Sequence, residues 1–343
     1  MDQLTLRQQM ILGLVVREHV KTASPVGSKS LVKNYNLQVS AATVRNELAY
    51  LEELGYLDQP HTSAGRVPTY KGYRHFVEQL LDEVELPLQE RRTIIHQFHQ
   101  ARQGFDQWMP LAASILARTA HGAALVTAPQ ATQATYKHLQ LISTQGRSVL
   151  LILVLRGGMI KQQMLTLAEP PVQEMLNEAS DRLNQRCNGM TTESIRPYVE
   201  ELPLFEKDIA DLVLDIMNRV NSRTADVIYR DGLSEVLQQP EFAEGEYAQG
   251  LVRVIEERNF LETILADALS PEVGNVRVLI GGEGRWEELQ ACSLVLGRYG
   301  VADFVTGALG VVGPTRMLYG RAISAVRFVS SLLSELVYDM YEH

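Results

Sequence analysis

Arg45 and Asn46 stand side by side in the run Ser40-Ala41-Ala42-Thr43-Val44-Arg45-Asn46-Glu47-Leu48, and both side chains suit the edges of bases. An Arg guanidinium bonds guanine through two donors, and an Asn amide can pair with adenine in the same bidentate way. Ala42 and Ala49 are small enough to let a helix come close to a groove, while Thr43 can bond a base or a phosphate. Ser40 precedes this helix as an N-cap candidate. Upstream, Ser28, Lys29 and Ser30 open another expected helix, where unpaired backbone amides form a natural phosphate seat. Downstream, His61, Thr62 and Ser63 make a polar tip flanked by Arg66, suited to a phosphate backbone or a minor groove.

Such residues read DNA only if a scaffold presents them together. Thr5 to Gln8 reads as a capping box and opens a helix to about Lys21. Thr22-Ala23-Ser24-Pro25 breaks it, a short helix follows from about Ser28 to Tyr35, and Asn36 turns the chain. In the third helix Val44, Leu48 and Leu51 fall at i, i+4 and i+7, which buries one face and turns Arg45 and Asn46 outward. Val39 and Val44 are placed as a hydrophobic staple, and Gly55 stops the helix. The segments Tyr56–Gln59 and Arg66–Thr69 then flank a tip from Pro60 to Gly65, giving a short β-hairpin. Three helices and a hairpin describe a winged helix-turn-helix, whose later helix enters the major groove. The same shape also serves as a protein-interaction module.

Charge favours the DNA reading. The chain of 343 residues carries a net charge of −9, yet residues 1–80 hold nine Lys or Arg against seven Asp or Glu. The remainder holds twenty-three against thirty-four. A weakly basic head on an acidic body suits a reader whose body stays away from phosphates.

Beyond the head, a helix from about Tyr70 to Val84 leads to a hinge at Pro87, and residues 88–120 read as helical with breaks near Gly104 and Pro110. Strands are expected at about Lys137–Ser143, Val149–Leu155 and Met159–Leu167, with hairpin turns at Gln145-Gly146 and Gly157-Gly158. Helices dominate from 172 to 269, apart from a strand at Asp226–Tyr229. Strands return at Arg277–Ile280, Ser293–Leu296 and Ala302–Thr306, and a last helix runs from about 316 to 341. Because three-stranded sheets are marginal alone, the two sets of strands are expected to share one sheet interrupted by an insertion, with two separate small domains as the alternative.

The body offers little chemistry. His96 and His99 have a chelating i, i+3 spacing, but no Cys and no carboxylate on that face completes a site, so a solvated helix face is expected, with no metal or other cofactor. Gly281-Gly282-Glu283-Gly284 lacks both phosphate-loop spacings and reads as a glycine turn. No nucleophile-elbow motif occurs, so an enzyme is not expected. Cys187 and Cys292 read as buried thiols of a cytoplasmic protein. The longest apolar run, Val149–Leu155, is seven residues, far short of a bilayer span. Two apolar stripes are candidates for self-association: Ile209, Leu212, Val213, Ile216 and Val220, and Phe260, Leu261, Ile264, Leu265 and Ala268. Each suits a domain core equally well.

The runs Ser24-Pro25-Val26-Gly27-Ser28-Lys29-Ser30-Leu31, Ser40 to Leu48, and His61-Thr62-Ser63-Ala64-Gly65-Arg66-Val67-Pro68-Thr69, with Gly72-Tyr73-Arg74 after them, resemble the heat-inducible transcription repressor family HrcA. The match is dense over residues 1–80 and looser beyond. The resemblance implies a repressor of chaperone operons that binds an inverted repeat, the CIRCE element, as a homodimer and depends on the GroE chaperonin. It also implies an α+β multidomain fold: a winged helix-turn-helix at 1–75, a linker helix at 76–100, and a GAF-like antiparallel-sheet domain at 101–190 and 265–343. A mainly helical dimerisation domain is inserted at 191–264. A metabolite-responsive winged-helix regulator with a ligand in the GAF-like part is the alternative.

Overall fold

A computed structural model describes residues 4–61, 64–81, 85–101, 104–131, 134–156, 159–221, 227–243, 245–257, 261, 263–265, 272–283, 286–302 and 304–342. The chain divides into two compact units. One comprises residues 1–128, 227–299 and 307–336, and the other 129–226, 300–306 and 337–343.

The first unit begins with the head. Thr5 and Gln8 form the expected capping box of α1 (Leu6–Thr22). Helix α2 (Ser28–Tyr35) ends at Asn36 in a left-handed conformation. Ser40 caps α3 (Ala41–Glu53), accepting a hydrogen bond from the Thr43 amide. Val44, Leu48 and Leu51 are buried, as their spacing predicts. Strands β1 (Leu57–Asp58) and β2 (Val67–Pro68) pair antiparallel. Val26 and Arg66 exchange two backbone hydrogen bonds of 2.8 Å, an isolated rung that ties the chain ahead of α2 to the other edge of the strand leading into β2. That rung explains Gly65: a Cβ there would lie 2.4 Å from the Val26 backbone.

After the head, α4 (Tyr70–His75) passes into a π-helical turn, Phe76–Leu80; residues 82–84 of the expected longer helix lie outside the described residues. Helices α5 (Leu88–Gln100) and α6 (Phe105–Ala120) follow. Pro110 does not break α6; apolar burial of Trp108, Met109, Ala112, Ala113, Ile115 and Leu116 on both sides of it holds the helix together. Next come β3 (Ala123–Thr127), which the sequence pattern did not reveal, and β4 (Gln130–Ala131).

The second unit opens with β5 (Tyr136–Ser143), β6 (Ser148–Leu155) and β7 (Ile160–Thr166), an antiparallel sheet in that order. Helices α7 (Gln173–Cys187), α8 (Thr192–Val199) and α9 (Leu204–Asn221) complete it. Leu139, Leu141, Val149, Leu151, Leu153 and Leu155 on one sheet face share a core with Leu176, Leu183, Ile209, Val213 and Met217. The free edge of β5 is closed by side-chain amides of α7. Asn184 accepts from the Leu139 amide at 2.7 Å and donates to its carbonyl at 2.9 Å, and Gln173 bridges Leu141 and Ser143 in the same way.

The chain then returns through β8 (Ile228–Asp231), α10 (Leu233–Val236), α11 (Gly245–Glu256), β9 (Val276–Leu279), β10 (Cys292–Val301), β11 (Val305–Pro314) and α12 (Tyr319–Glu342). The order β8-β3-β11-β10-β9, with β4 also on β11, makes a separate six-stranded sheet. The expectation of one shared sheet is therefore corrected. The three-stranded sheet stands alone because three helices cover one of its faces. The other sheet recruits β3 and β8 instead. Of the expected strand at 226–229, Asp226 lies outside the described residues. β10 extends past the expected Ser293–Leu296 on both sides, and β11 begins only at the end of the expected Ala302–Thr306 and runs on to Pro314; within it Gly307 leaves room for the Tyr299 ring, 2.5 Å from where its Cβ would sit.

Both candidate association stripes are cores. Ile209, Val213, Ile216 and Val220 are buried in the second unit, with Leu212 packed against them. Leu261, Ile264 and Leu265 are buried in the first; Phe260 and Ala268 lie outside the described residues. The expected boundary at 190/191 falls inside one packed core that runs from Ala134 to Val220, while residues from Val236 onward pack with β3 and β10. The chain leaves and re-enters the first unit at neighbouring points, where the Ala128 amide donates to the Val227 carbonyl.

Candidate nucleic-acid interface

The head brings three elements around one concave surface. The start of α2, the outer face of α3 and the hairpin border a groove of ≈ 540 Å³, lined by Gly27, Ser28, Lys29, Arg45, Gln59 and Arg66 among others. Helix α2 begins at Gly27 without a side-chain cap, so its first amides remain donors for an anion. Lys29 is exposed beside them. Ser28 is buried, and the Ser30 hydroxyl donates to the Gly27 carbonyl at 2.7 Å. These two serines therefore contribute through the backbone they organise, and Lys29 supplies the charge.

On α3, Ala42, Arg45 and Asn46 are exposed. Thr43 is half-buried, and its hydroxyl shares a hydrogen bond of 2.9 Å with Ser40 Oγ, so Ser40 and Thr43 together hold the start of the helix. Glu47, which would repel phosphate, is drawn to α1, 3.2 Å from Gln8 Nε2 and 3.6 Å from Arg7. Tyr50 is 45% exposed, one turn beyond Asn46. Sequence reasoning passed over it, although its i+4 spacing from Asn46 places it on the same face. Gln59 was also missed. Its Nε2 donates to the Ala64 carbonyl at 3.0 Å, bracing the base of the hairpin tip.

At the tip, His61 is exposed, and Thr62 and Ser63 lie outside the described residues. Arg66 is not a free basic side chain. Its guanidinium lies 2.7 Å from Glu52 and its side chain is only 16% exposed, so it ties the hairpin to the last turn of α3. Beneath the hairpin, His75 meets Tyr56 edge-on at 5.4 Å, and burial keeps its pKa below the usual histidine range. Lys71 lies 4.4 Å over the other part of that packing, the Tyr56 ring, and donates to the Leu54 carbonyl at 2.7 Å.

The remaining candidates have structural explanations. His96 and His99 are exposed on α5, and among the described residues no group of three His, Cys, Asp or Glu side chains could hold a metal ion. Gly281 sits where a Cβ would meet the carbonyl oxygens of Cys292 and Leu289 at 2.4 Å, so close packing of a turn accounts for it; Gly284 lies outside the described residues. Burial raises the Cys187 thiol and pushes that of Cys292 up to about 12, which keeps both protonated and unreactive. Among the described residues no helix is long and apolar enough to cross a membrane.

Known proteins similar to this chain match it along nearly its whole length. The family model described as the HrcA protein C terminal domain matches residues 106–323. The heat-inducible transcription repressor HrcA of Roseiflexus castenholzii is 46% identical, over 98% of this chain and 96% of the relative. That of Chloroflexus aurantiacus is 43% identical, over 98% and 95%. A crystal structure of a hypothetical protein shares the fold at a TM-score of 0.60 and 23% identity, covering 98% of this chain and 99% of that one.

Proposed function

The chain belongs to the HrcA family of heat-inducible transcription repressors, a family of transcriptional regulators and not of enzymes, and from that premise we propose how it works. It binds an inverted-repeat operator of the CIRCE type as a homodimer and silences chaperone operons, one head per half-site. Helix α3 enters the major groove with Arg45 and Asn46 on base edges and Ala42 against them. Lys29 and the first amides of α2 seat a phosphate, and the tip around His61 follows the neighbouring backbone. The observation that carries this reading is the shared groove. It brings Lys29, Arg45 and the hairpin, which are far apart in sequence, onto one concave surface.

The six-stranded sheet with its helices takes the GAF-like role, and residues 129–226 take that of the inserted dimerisation domain. The pairing surface lies on the uncovered side of the three-stranded sheet. There Ile160 and Met164 of the edge strand β7 are 57% and 56% exposed, opposite Val154 and Leu150 of β6. An isologous packing of two such faces covers the apolar surface that the helices leave open. Repressor activity depends on the GroE chaperonin.

Titration of Arg45→Ala against operator and random DNA tests the reading. The expected cost is about 1–3 kcal/mol on the operator and far less on random DNA, because base contacts specify sequence. An equal loss on both DNAs removes Arg45 from base recognition.

A further inference from the structure

Arg74, at the end of the head, reaches across to the body. Its Nε and one terminal nitrogen bond both carboxylate oxygens of Glu283, at 2.7 and 2.5 Å, and the same terminal nitrogen donates to the Val278 carbonyl of β9 at 3.0 Å. Glu283 follows β9 on a tight turn whose Gly282 packs against Tyr70 of the head. Beside this fork the Tyr73 ring, buried, meets the buried ring of Tyr319 at 5.9 Å. The Tyr319 hydroxyl is itself fixed by the Thr315 carbonyl at 2.6 Å and by Ser293 Oγ at 2.8 Å. A second arginine works in the opposite direction: Arg316 of the body is held by Glu241 and Gln239 and reaches the Val20 carbonyl near the end of α1. None of these residues lies on the face that holds Lys29 and Arg45.

A bidentate Arg–carboxylate fork fixes angle as well as distance. We propose that Arg74 and Glu283 are positioning residues that lock each head at a set angle to the body and so select operators by the spacing of their half-sites. The proposal rests on the reading of a dimer on an inverted repeat. B-DNA turns once in 10–10.5 base pairs, so each base pair added between half-sites rotates one of them by roughly 35° about the axis. A locked pair of heads meets one spacing well and its neighbours badly. Heads released from the lock sample many angles, which lowers the effective concentration of the second head at the favoured spacing and raises it elsewhere.

The test is a titration series on full-length protein with operators whose spacer is lengthened or shortened one base pair at a time. Glu283→Gln and Arg74→Lys are compared with the unaltered chain, since lysine cannot reproduce the fork. The unaltered protein should bind one spacing best, by roughly tenfold or more over its neighbours. Either variant should flatten that profile to within about threefold, mostly by losing affinity at the best spacing. Thermal melting identifies a variant that fails to fold, and the other then carries the test. A variant that folds and loses affinity by the same factor at every spacing overturns the positioning role, because a merely structural contribution would do that. If the unaltered chain shows no spacing preference, the inverted-repeat reading fails and takes the lock with it. A sharp wild-type profile with unchanged variants overturns the lock alone.

Discussion

Arg66 and Glu52 form an ion pair of 2.7 Å that joins the hairpin to the end of the helix carrying Arg45. Neither side chain is more than one-third exposed, so the pair is worth more than a surface contact and less than a fully buried one. Glu52→Gln should lower the stability of the folded chain by about 1–2 kcal/mol. A double-mutant cycle with Arg66→Gln, read from urea unfolding, should return a coupling of similar sign and about 1 kcal/mol. A coupling near zero sinks the claim that this arginine is anchored and not available to DNA. Operator binding by Arg66→Gln should fall by one factor on specific and random DNA alike, because the change displaces the whole hairpin.

Lys29 gives a different signature. As an exposed cation beside uncapped amides, it should release counterions when it meets phosphate. Lys29→Ala should weaken binding nearly equally on operator and random DNA, and should reduce the slope of log affinity against log salt by roughly 0.9. An unchanged slope removes Lys29 from the phosphate contacts.

The head was legible because its signals are local. A capping box, an N-cap serine, an i, i+4, i+7 stripe and a polar tip each act within a few residues, and α1 to α3 and the hairpin follow them closely. The body was less so. β3 pairs with β11, whose residues lie more than 180 positions later, and nothing local announces such a partner. The stripe from Ile209 to Val220 has the same period whether it faces a core or a second chain; only the packing of α9 against α7 and β6 decides for the core. In the sequence Arg66 reads as a phosphate-contacting cation, because its partner Glu52 comes close only once the hairpin folds back on α3.

Self-association through the second unit, as proposed, has two testable consequences. Ile160→Lys with Met164→Lys places like charges across the paired faces, and should give a monomer by sedimentation with operator affinity lower by roughly a hundredfold. Replacing residues 132–225 by a short glycine linker should do the same and leave all six strands of the other sheet in place, β4 included, since Ala128 and Val227 are already hydrogen-bonded neighbours. Removing 191–264 instead should unfold the chain, because that cut passes through both cores. A dimer that survives both the lysine substitutions and the linker replacement excludes this pairing surface.

Heat should relieve repression through the slow folding of the six-stranded sheet. The three-stranded sheet is made of strands adjacent in sequence and should form early. The six-stranded sheet closes only when Val126 finds Leu309 and Leu125 finds Gly310, across the whole of the second unit. Non-local pairing of this kind is slow, since loop closure must precede the contacts that reward it. Until β3 arrives, the apolar β11 run Ala308–Val312, buried in the finished sheet, is exposed to aggregation or to a chaperonin. The active repressor population should therefore report on free chaperonin: when heat fills it with other unfolded chains, fewer copies of this one reach the binding state and repression falls. Denatured protein refolded with chaperonin and ATP should recover several-fold more operator-binding sites than protein refolded alone. Equal recovery in dilute solution at moderate temperature would leave simple thermal unfolding of the head as the explanation. In that case, heating the native protein should abolish operator binding reversibly, at the same temperature whether or not chaperonin is present.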